Sequence, residues 1–174
     1  MIRKIGFYVV TGLILVMLFL SMKKQNGLKV GDRIPQFILK DQQGKDFNSE
    51  DYRGKTAMVI YFYPKDDTPG CIKEACSFRD AYEVFSDKNV KVIGISSDSV
   101  ESHKNFADKY NLPFTLLADT DKKVRRLFGV PSSALGLLPG RVTYVVDKEG
   151  IIIYIYNSMS NAEKHVAESL KMLN

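Results

Sequence analysis

Apolar and polar positions follow two different periods along the chain, and together they predict alternating strands and helices. Almost unbroken apolar runs at 57–63 and 90–95 are typical of strands that are covered on both faces of a sheet. From Cys71 to Phe85, apolar residues recur at steps of three and four, which predicts a helix. Shorter segments continue the alternation: a hairpin at 37–47, strands at 114–117, 142–146 and 151–156, and helices after Asp98 or Ser99, at 121–128 and from Ala162 to Leu173. This order predicts the α/β class, with a mixed central sheet flanked by helices.

The N-terminal segment has a different character. Ile5–Leu20 is sixteen residues long without a charge, and basic residues flank it on both sides: Arg3, Lys4, Lys23 and Lys24. This length lies at the lower edge of what a membrane-spanning helix needs. We therefore expect one N-terminal transmembrane helix and a single-pass membrane localisation, on a side that the flanking charges do not settle. An anchor and linker would occupy 1–27 and a globular domain 28–174. A cleaved signal peptide is the main alternative and a buried core helix a weaker one.

The formal net charge of +5, from 25 basic and 20 acidic residues, is concentrated near the N-terminus. The first 28 residues hold four basic and no acidic side chains, so the remainder is nearly neutral, which argues against a nucleic-acid partner. Two cysteines and two histidines cannot supply the ligands of a zinc finger, and the chain has neither a G-x-G-x-x-G nor a Walker A motif. The sequence therefore indicates no metal and no other cofactor.

Both cysteines lie in the segment 63–76, directly after the predicted central strand. The carboxyl ends of strands are the usual place for ligands in open α/β sheets. Thr68 suits the N-cap position and Pro69 the first helical position, which places Cys71 third in the helix. Unpaired N–H groups and the helix dipole there favour a thiolate, and Arg141 is the candidate for a more distant cation. Three nearby acids would oppose the thiolate if they pointed inward: Asp66, Asp67 and Glu74.

The spacing of the two cysteines limits how they can react with each other. Residues five apart in a continuous helix rise about 7.5 Å along its axis and point in different directions. Cys71 and Cys76 can therefore form a disulfide only if the first helical turn unwinds. From spacing alone, Cys76 could equally be a small buried hydrophobic residue. A metal site with His103 or His165 is disfavoured, and we expect both histidines to be solvated or helix-terminal residues.

The segments 61–65 and 68–80 resemble the peroxiredoxins of the bacterioferritin-comigratory-protein type, also called peroxiredoxin Q. The similarity extends over approximately Leu28 to Asn174, and the family pattern P-x-x-x-T-x-x-C is met by Pro64, Thr68 and Cys71. The resemblance implies a thioredoxin-like fold for this domain. The apolar N-terminal segment departs from the family, so the resemblance does not supply a compartment.

The resemblance also implies a function, a thiol-dependent peroxidase that reduces hydrogen peroxide and organic hydroperoxides. Cys71 corresponds to the peroxidatic cysteine, which becomes a sulfenic acid, and Cys76 to the resolving cysteine, which traps it as a disulfide. Thr68 corresponds to the hydroxyl that holds the sulfur and the peroxide, and we expect it also to cap the helix. Arg141 corresponds to the guanidinium that stabilises the thiolate, and Pro64 to the residue that shields the sulfur. A thioredoxin-like reductant would complete the cycle, and we expect a monomer.

Two other functions remain open at this point. One is a membrane-anchored thiol–disulfide oxidoreductase of thioredoxin type, although that chemistry normally uses a C-x-x-C motif, and here four residues separate the cysteines. The other is a non-catalytic binding or scaffold module that keeps only the fold. The set formed by Thr68, Cys71 and Arg141 argues against this second possibility.

Overall fold

The structure, a computed structural model, describes residues 27–133 and 138–173. Its main sheet has seven strands: β1 (Ile38–Asp41), β2 (Asp46–Asn48), β3 (Ala57–Phe62), β4 (Val90–Ser96), β5 (Thr115–Ala118), β8 (Val142–Val146) and β9 (Ile152–Asn157). A separate small hairpin consists of β6 (Ser132–Ser133) and β7 (Leu138–Pro139). The strand order β2-β1-β5-β4-β3-β8-β9 places β3 in the interior of the sheet.

The interior position of β3 explains its apolar sequence. It pairs in parallel with β4, from Ala57 opposite Val90 to Phe62 opposite Ile95, and antiparallel with β8. Every residue of β3 after Ala57 is buried, because neighbouring strands cover its edges and helices cover its faces. The sheet is therefore mixed, as predicted.

Among the described residues, five α-helices flank the sheet: α1 (Pro69–Asp80), α2 (Tyr82–Asp87), α3 (Val100–Tyr110), α4 (Lys123–Phe128) and α5 (Ala162–Lys171). A short 3-10 helix also covers Ser49–Tyr52. The single helix expected from Cys71 to Phe85 is in fact two helices with a break at Ala81. The backbone of Ala81 leaves the helical region, at φ −96° and ψ 4°, and its N–H bonds the carbonyls of Ser77 and Arg79. The apolar spacing continues across this break, so the periodicity alone could not reveal it.

Two hydrophobic cores lie on opposite faces of the sheet because side chains alternate along each strand. Val59 and Tyr61 of β3 point into a core shared with α1, α3 and α5, while Ile60 and Phe62 point into a core shared with α4. In the first core, the ring of Phe78 from α1 stacks on Tyr61, with the ring centroids 4.6 Å apart. This stack fixes the second half of α1 against the sheet.

The predicted membrane helix requires a correction to the fold class. No helix within residues 27–133 and 138–173 is long and apolar enough to cross a membrane. The segment expected to do so, Ile5–Leu20, lies outside the residues that the structure describes. The described domain is a mixed sheet flanked by helices, the thioredoxin-like arrangement that the resemblance implied, and it contains no membrane-spanning helix.

Candidate active site

The first turn of α1 places Cys71 at the carboxyl end of β3. Thr68 is the N-cap residue, with extended backbone angles, and Pro69 occupies the first helical position, as predicted. The N–H groups of Cys71 and Ile72 both bond the carbonyl oxygen of Thr68 at 2.9 Å. The Thr68 hydroxyl makes no capping bond, contrary to expectation, and donates instead to the carbonyl of Lys65 at 3.0 Å. Thr68 therefore begins the helix through its backbone, and its side chain stabilises the preceding loop.

Arg141 is the charged partner of Cys71. Its Nη2 donates to the Cys71 Sγ at 3.3 Å, although the two residues are 70 positions apart in the chain. Cys71 is only 1% exposed and Arg141 3%, so this contact lies in a largely water-free environment. A guanidinium hydrogen bond in such surroundings stabilises a thiolate more strongly than it would in water. The predicted pairing of this cysteine with this arginine is present in the structure.

Glu74 shares the same guanidinium. Its Oε2 accepts a hydrogen bond from Arg141 Nη1, and its side chain is fully buried one helical turn after Cys71. Burial raises the pKa of Glu74 to about 8, although the neighbouring Arg141 acts to lower it. Burial also acts to lower the pKa of Arg141, but the charges of Glu74 and Cys71 outweigh it, so the net pKa of Arg141 is raised. The guanidinium therefore remains a cation that can serve both groups.

Gly70 leaves the space that this guanidinium occupies. A Cβ atom at Gly70 would lie 3.1 Å from Arg141 Nη2, closer than ordinary van der Waals contact. The guanidinium cannot easily move away, since its two nitrogens bond Cys71 and Glu74. The glycine before the cysteine is thus explained by close packing around the cation.

His165 lies behind Glu74 and extends the buried polar network. Its Nδ1 is 2.7 Å from the Thr143 Oγ1 and 3.5 Å from the Glu74 Oε1, and its Nε2 is 3.0 Å from the Ser158 carbonyl oxygen. Burial lowers the pKa of His165 to about 4, and the charge of Arg141 adds to this effect. The ring is therefore neutral at pH 7, with Nε2–H donating to Ser158 and Nδ1 accepting from the Thr143 hydroxyl.

Arg125 supports the site from the other side of the sheet. Its guanidinium donates to the carbonyl of Tyr63 at 2.7 Å and to that of Gly140 at 3.0 Å. Tyr63 immediately precedes the loop that leads to α1, and Gly140 immediately precedes Arg141. One side chain therefore ties together the two backbone segments that carry the site. Burial lowers the pKa of Arg125, while the charge of Asp119 acts in the opposite direction.

The two remaining predicted residues lie near the site without contacting the Cys71 sulfur through a hydrogen bond. Pro64 is half-buried in the loop before α1, and Cys76 is half-buried on the continuous helix. Both cysteines are free thiols. The intact helix keeps them apart, as their spacing predicted.

The structure also shows functional residues that the sequence analysis missed or misjudged. Glu74 was considered only as an acid that could oppose the thiolate, and Arg125 was not singled out. Both histidines were expected to be solvated or helix-terminal, yet His103 and His165 are each 0% exposed. For His165 a signal was available, since it lies beside Val166 in the apolar stripe of the last helix.

Comparison with known proteins places this site in a family. A sequence profile described as the AhpC/TSA family matches residues 30–155. The chloroplastic peroxiredoxin Q of Sedum lineare is 54% identical over 143 residues, which are 82% of this chain and 76% of that protein. The chloroplastic peroxiredoxin Q of Triticum aestivum is 55% identical over 80% of this chain, an alignment that spans only 64% of the wheat protein. The crystal structure of peroxidoxin BcpB from Mycobacterium tuberculosis superposes with a TM-score of 0.78 at 33% identity and covers 84% of this chain and 96% of its own.

These comparisons decide three predictions. The relatives are named as chloroplastic proteins, which contradicts the predicted single-pass membrane localisation, and that prediction is withdrawn. The superposition confirms the thioredoxin-like arrangement of the domain. The chain therefore belongs to the AhpC/TSA family as a peroxiredoxin of the Q, or bacterioferritin-comigratory, type, and the enzyme class predicted from its sequence, a thioredoxin-dependent peroxiredoxin, is confirmed.

Proposed function

We propose that this peroxiredoxin reduces hydrogen peroxide and organic hydroperoxides through a sulfenic acid on Cys71. The observation that carries the proposal is the 3.3 Å contact between Arg141 Nη2 and the Cys71 Sγ at the start of α1. The thiolate attacks one peroxide oxygen, the O–O bond breaks, and the sulfur gains that oxygen. The leaving alkoxide or hydroxide takes up a proton and departs as an alcohol or water. The cysteine is oxidised by two electrons and the peroxide is reduced by two.

The surrounding groups have distinct proposed roles in this step. Arg141 stabilises the thiolate before the reaction and the negative charge that develops on the leaving oxygen. The Thr68 hydroxyl, which donates to the Lys65 carbonyl in this structure, has the proposed role of contacting the peroxide, and Pro64 has that of keeping bulk water away from the sulfur. Glu74 holds the guanidinium from its other edge, so the cation is already oriented when the peroxide arrives.

Cys76 has the proposed role of resolving cysteine. Its thiol attacks the sulfenic sulfur of Cys71, a disulfide forms, and the sulfenic oxygen leaves as water. The first turn of α1 must unwind for this step, since a helix that is continuous from Pro69 to Asp80 separates the two sulfurs. A thioredoxin-like dithiol then reduces the disulfide and is itself oxidised. We place all of this chemistry in residues 28–174 of a single chain, so that a monomer suffices.

Mass spectrometry after one equivalent of peroxide tests the proposal. The wild type should lose two hydrogens through a Cys71–Cys76 disulfide that a thioredoxin removes. Cys71→Ser should consume no peroxide. Cys76→Ser should consume about one equivalent, stop, and then gain further oxygen atoms at Cys71. Normal cycling of Cys76→Ser with a thioredoxin would show that the resolving role is assigned wrongly.

A further inference from the structure

A buried carboxylate holds the loop that leads into the active site. Asp66 lies midway between Pro64 and Thr68, yet its side chain is 4% exposed, unusual for an acid in a loop. Three donors converge on it: the Tyr63 hydroxyl at 2.7 Å, the Ser102 hydroxyl at 2.7 Å and the His103 Nδ1 at 2.9 Å. These hydrogen bonds attach the loop to α3, which carries Ser102 and His103.

His103 connects this cluster to the sheet. Its Nδ1 lies 2.9 Å from the Asp66 carboxylate and 3.3 Å from the Tyr63 hydroxyl, and its Nε2 faces the carbonyl oxygen of Leu117 at 3.1 Å. The ring is fully buried, so water does not compete for its hydrogen bond to Asp66.

The backbone of the loop is held at the same residue. The N–H of Asp66 donates to the Asp98 Oδ2 at 2.9 Å, and that carboxylate accepts a second bond from the Ser96 hydroxyl at 2.6 Å. Ser96 is the last residue of β4, which lies beside β3 in the sheet. Asp66 is therefore fixed through both its side chain and its backbone, two residues before the N-cap of α1.

We propose that the Asp66–His103 pair is a positioning device for the peroxidase reaction. It holds the loop from Pro64 to Thr68 so that the helix begins where Cys71 meets Arg141, and it is the fixed end from which the first turn of α1 unwinds. The inference rests on the proposed function, since it concerns the balance between the intact turn, which reacts with peroxide, and the unwound turn, which forms the disulfide.

This role predicts opposite effects on two steps. A weaker pair shifts the balance towards the unwound turn, so Cys71 should react more slowly with peroxide and the disulfide should form faster. A second peroxide that meets the sulfenic acid transfers another oxygen to give sulfinic acid and is reduced to water or an alcohol. Because disulfide formation competes with this reaction, a weaker pair should also lower the yield of sulfinic acid. A general structural defect would instead slow both the oxidation of Cys71 and the formation of the disulfide.

Two replacements of His103 distinguish the loss of its contact with Asp66 from the loss of the imidazole ring. The amide nitrogen of His103→Asn lies near the position of Nδ1 and can still donate to Asp66. The amide nitrogen of His103→Gln lies near the position of Nε2 and can donate only to Leu117. Both variants replace the ring with a neutral amide, so they differ chiefly in which partner the amide nitrogen can reach.

The same loop provides a matched control. The next residue, Asp67, pairs with Lys109 of the same helix at 2.8 Å, but both side chains are about half exposed. An exposed pair is screened by water and contributes little. Lys109→Ala therefore removes a contact between the same loop and the same helix without touching the buried pair.

Rapid-mixing kinetics of the reduced full-length protein with hydrogen peroxide test the proposal, with sulfinic acid measured by mass spectrometry. His103→Gln should lower the second-order rate of Cys71 oxidation about 10-fold or more and reduce the sulfinic yield, because small displacements of reacting groups have large kinetic effects. In His103→Asn and Lys109→Ala, this rate should stay within about threefold of the wild-type rate. The first variant retains the hydrogen bond to Asp66, and the second loses only a contact that water screens. Equal losses in the two His103 variants, or a loss in Lys109→Ala equal to that in His103→Gln, would overturn the proposal.

A spectrum of the unaltered protein tests the hydrogen bond between His103 and Asp66 without any variant. With ¹⁵N-labelled histidine, the Nδ1 of His103 should carry a hydrogen, and the absence of an Nδ1–H signal would refute the donation to Asp66. Failure of the proposed function is distinguishable, since the wild type would then form no Cys71–Cys76 disulfide after one equivalent of peroxide.

Discussion

Replacing His165 with glutamine should remove a pH dependence from the stability of this protein. The neutral ring lies fully buried between Thr143 and Ser158, and its pKa is lowered to about 4 from an ordinary value of 6.5. The unfolded state therefore binds a proton between these two values, whereas the folded state does not. Stability from this group is complete above pH 6.5 and is lost as the pH falls towards 4.

The size of the effect follows from the two pKa values. At pH 5 the loss relative to pH 8 is about 2 kcal/mol, and it approaches about 3.4 kcal/mol below pH 4. Glu74, whose pKa is raised to about 8, contributes a slope of opposite sign, with stability that is lost as the pH rises from about 4.5 towards 8. That slope is common to the wild type and to His165→Gln, so it cancels when the two are compared.

Urea unfolding at pH 5.0, 6.0, 7.0 and 8.0 measures the difference in the free energy of unfolding between the wild type and His165→Gln. The glutamine amide can still donate to the Ser158 carbonyl, so the variant should fold with a lower baseline stability. The stability advantage of the wild type over His165→Gln should shrink by about 2 kcal/mol between pH 8 and pH 5. A constant difference across this range would mean that His165 is not held neutral by burial, and the description of the network behind Glu74 would then be wrong.

Three further substitutions test the packing around the sulfur. Arg141→Lys removes the planar group that bonds two acceptors at once, and the second-order rate of Cys71 with hydrogen peroxide should fall roughly 100-fold in a stopped-flow measurement. Gly70→Ala places a Cβ 3.1 Å from the guanidinium and should lower the same rate about 10-fold, and an unchanged rate would show that the arginine moves freely. Phe78→Ala empties a fully buried position against Tyr61 and should lower the free energy of unfolding by about 3–5 kcal/mol, measured by denaturant titration; a loss below about 1 kcal/mol would contradict tight packing there.

Local sequence signals predicted the elements that local forces determine. The apolar run before Tyr63 gave the interior strand, because a strand covered on both faces has no polar side to show. Thr68 and Pro69 marked the start of α1 to the residue, since both have strong positional preferences there. The place of Cys71 in the first turn followed directly from that start.

Contacts between residues that are distant in the chain were harder to predict from the sequence. Arg141 was identified as a partner from its place at the start of a predicted strand after a Pro-Gly break and from the family resemblance, and nothing local fixes its distance from the sulfur. The burial of His103 could not be derived, and for His165 the only local signal was its place in an apolar stripe, because the partners of both ring nitrogens come from other parts of the chain. Glu74 was considered an opponent of the thiolate, since its pairing with the same guanidinium depends on tertiary packing. Whether a polar side chain is buried depends on its hydrogen-bond partners, and the periodicity of apolar residues does not reveal those partners.

The stacking of Phe78 on Tyr61 limits how much of the protein the proposed catalytic cycle would rearrange. This aromatic pair holds the part of α1 beyond Cys76 on the sheet, so the unwinding proposed to join the two sulfurs would be confined to the first half of the helix. An oxidised protein of this kind would expose little additional apolar surface to aggregation and only a short unfolded segment to proteases.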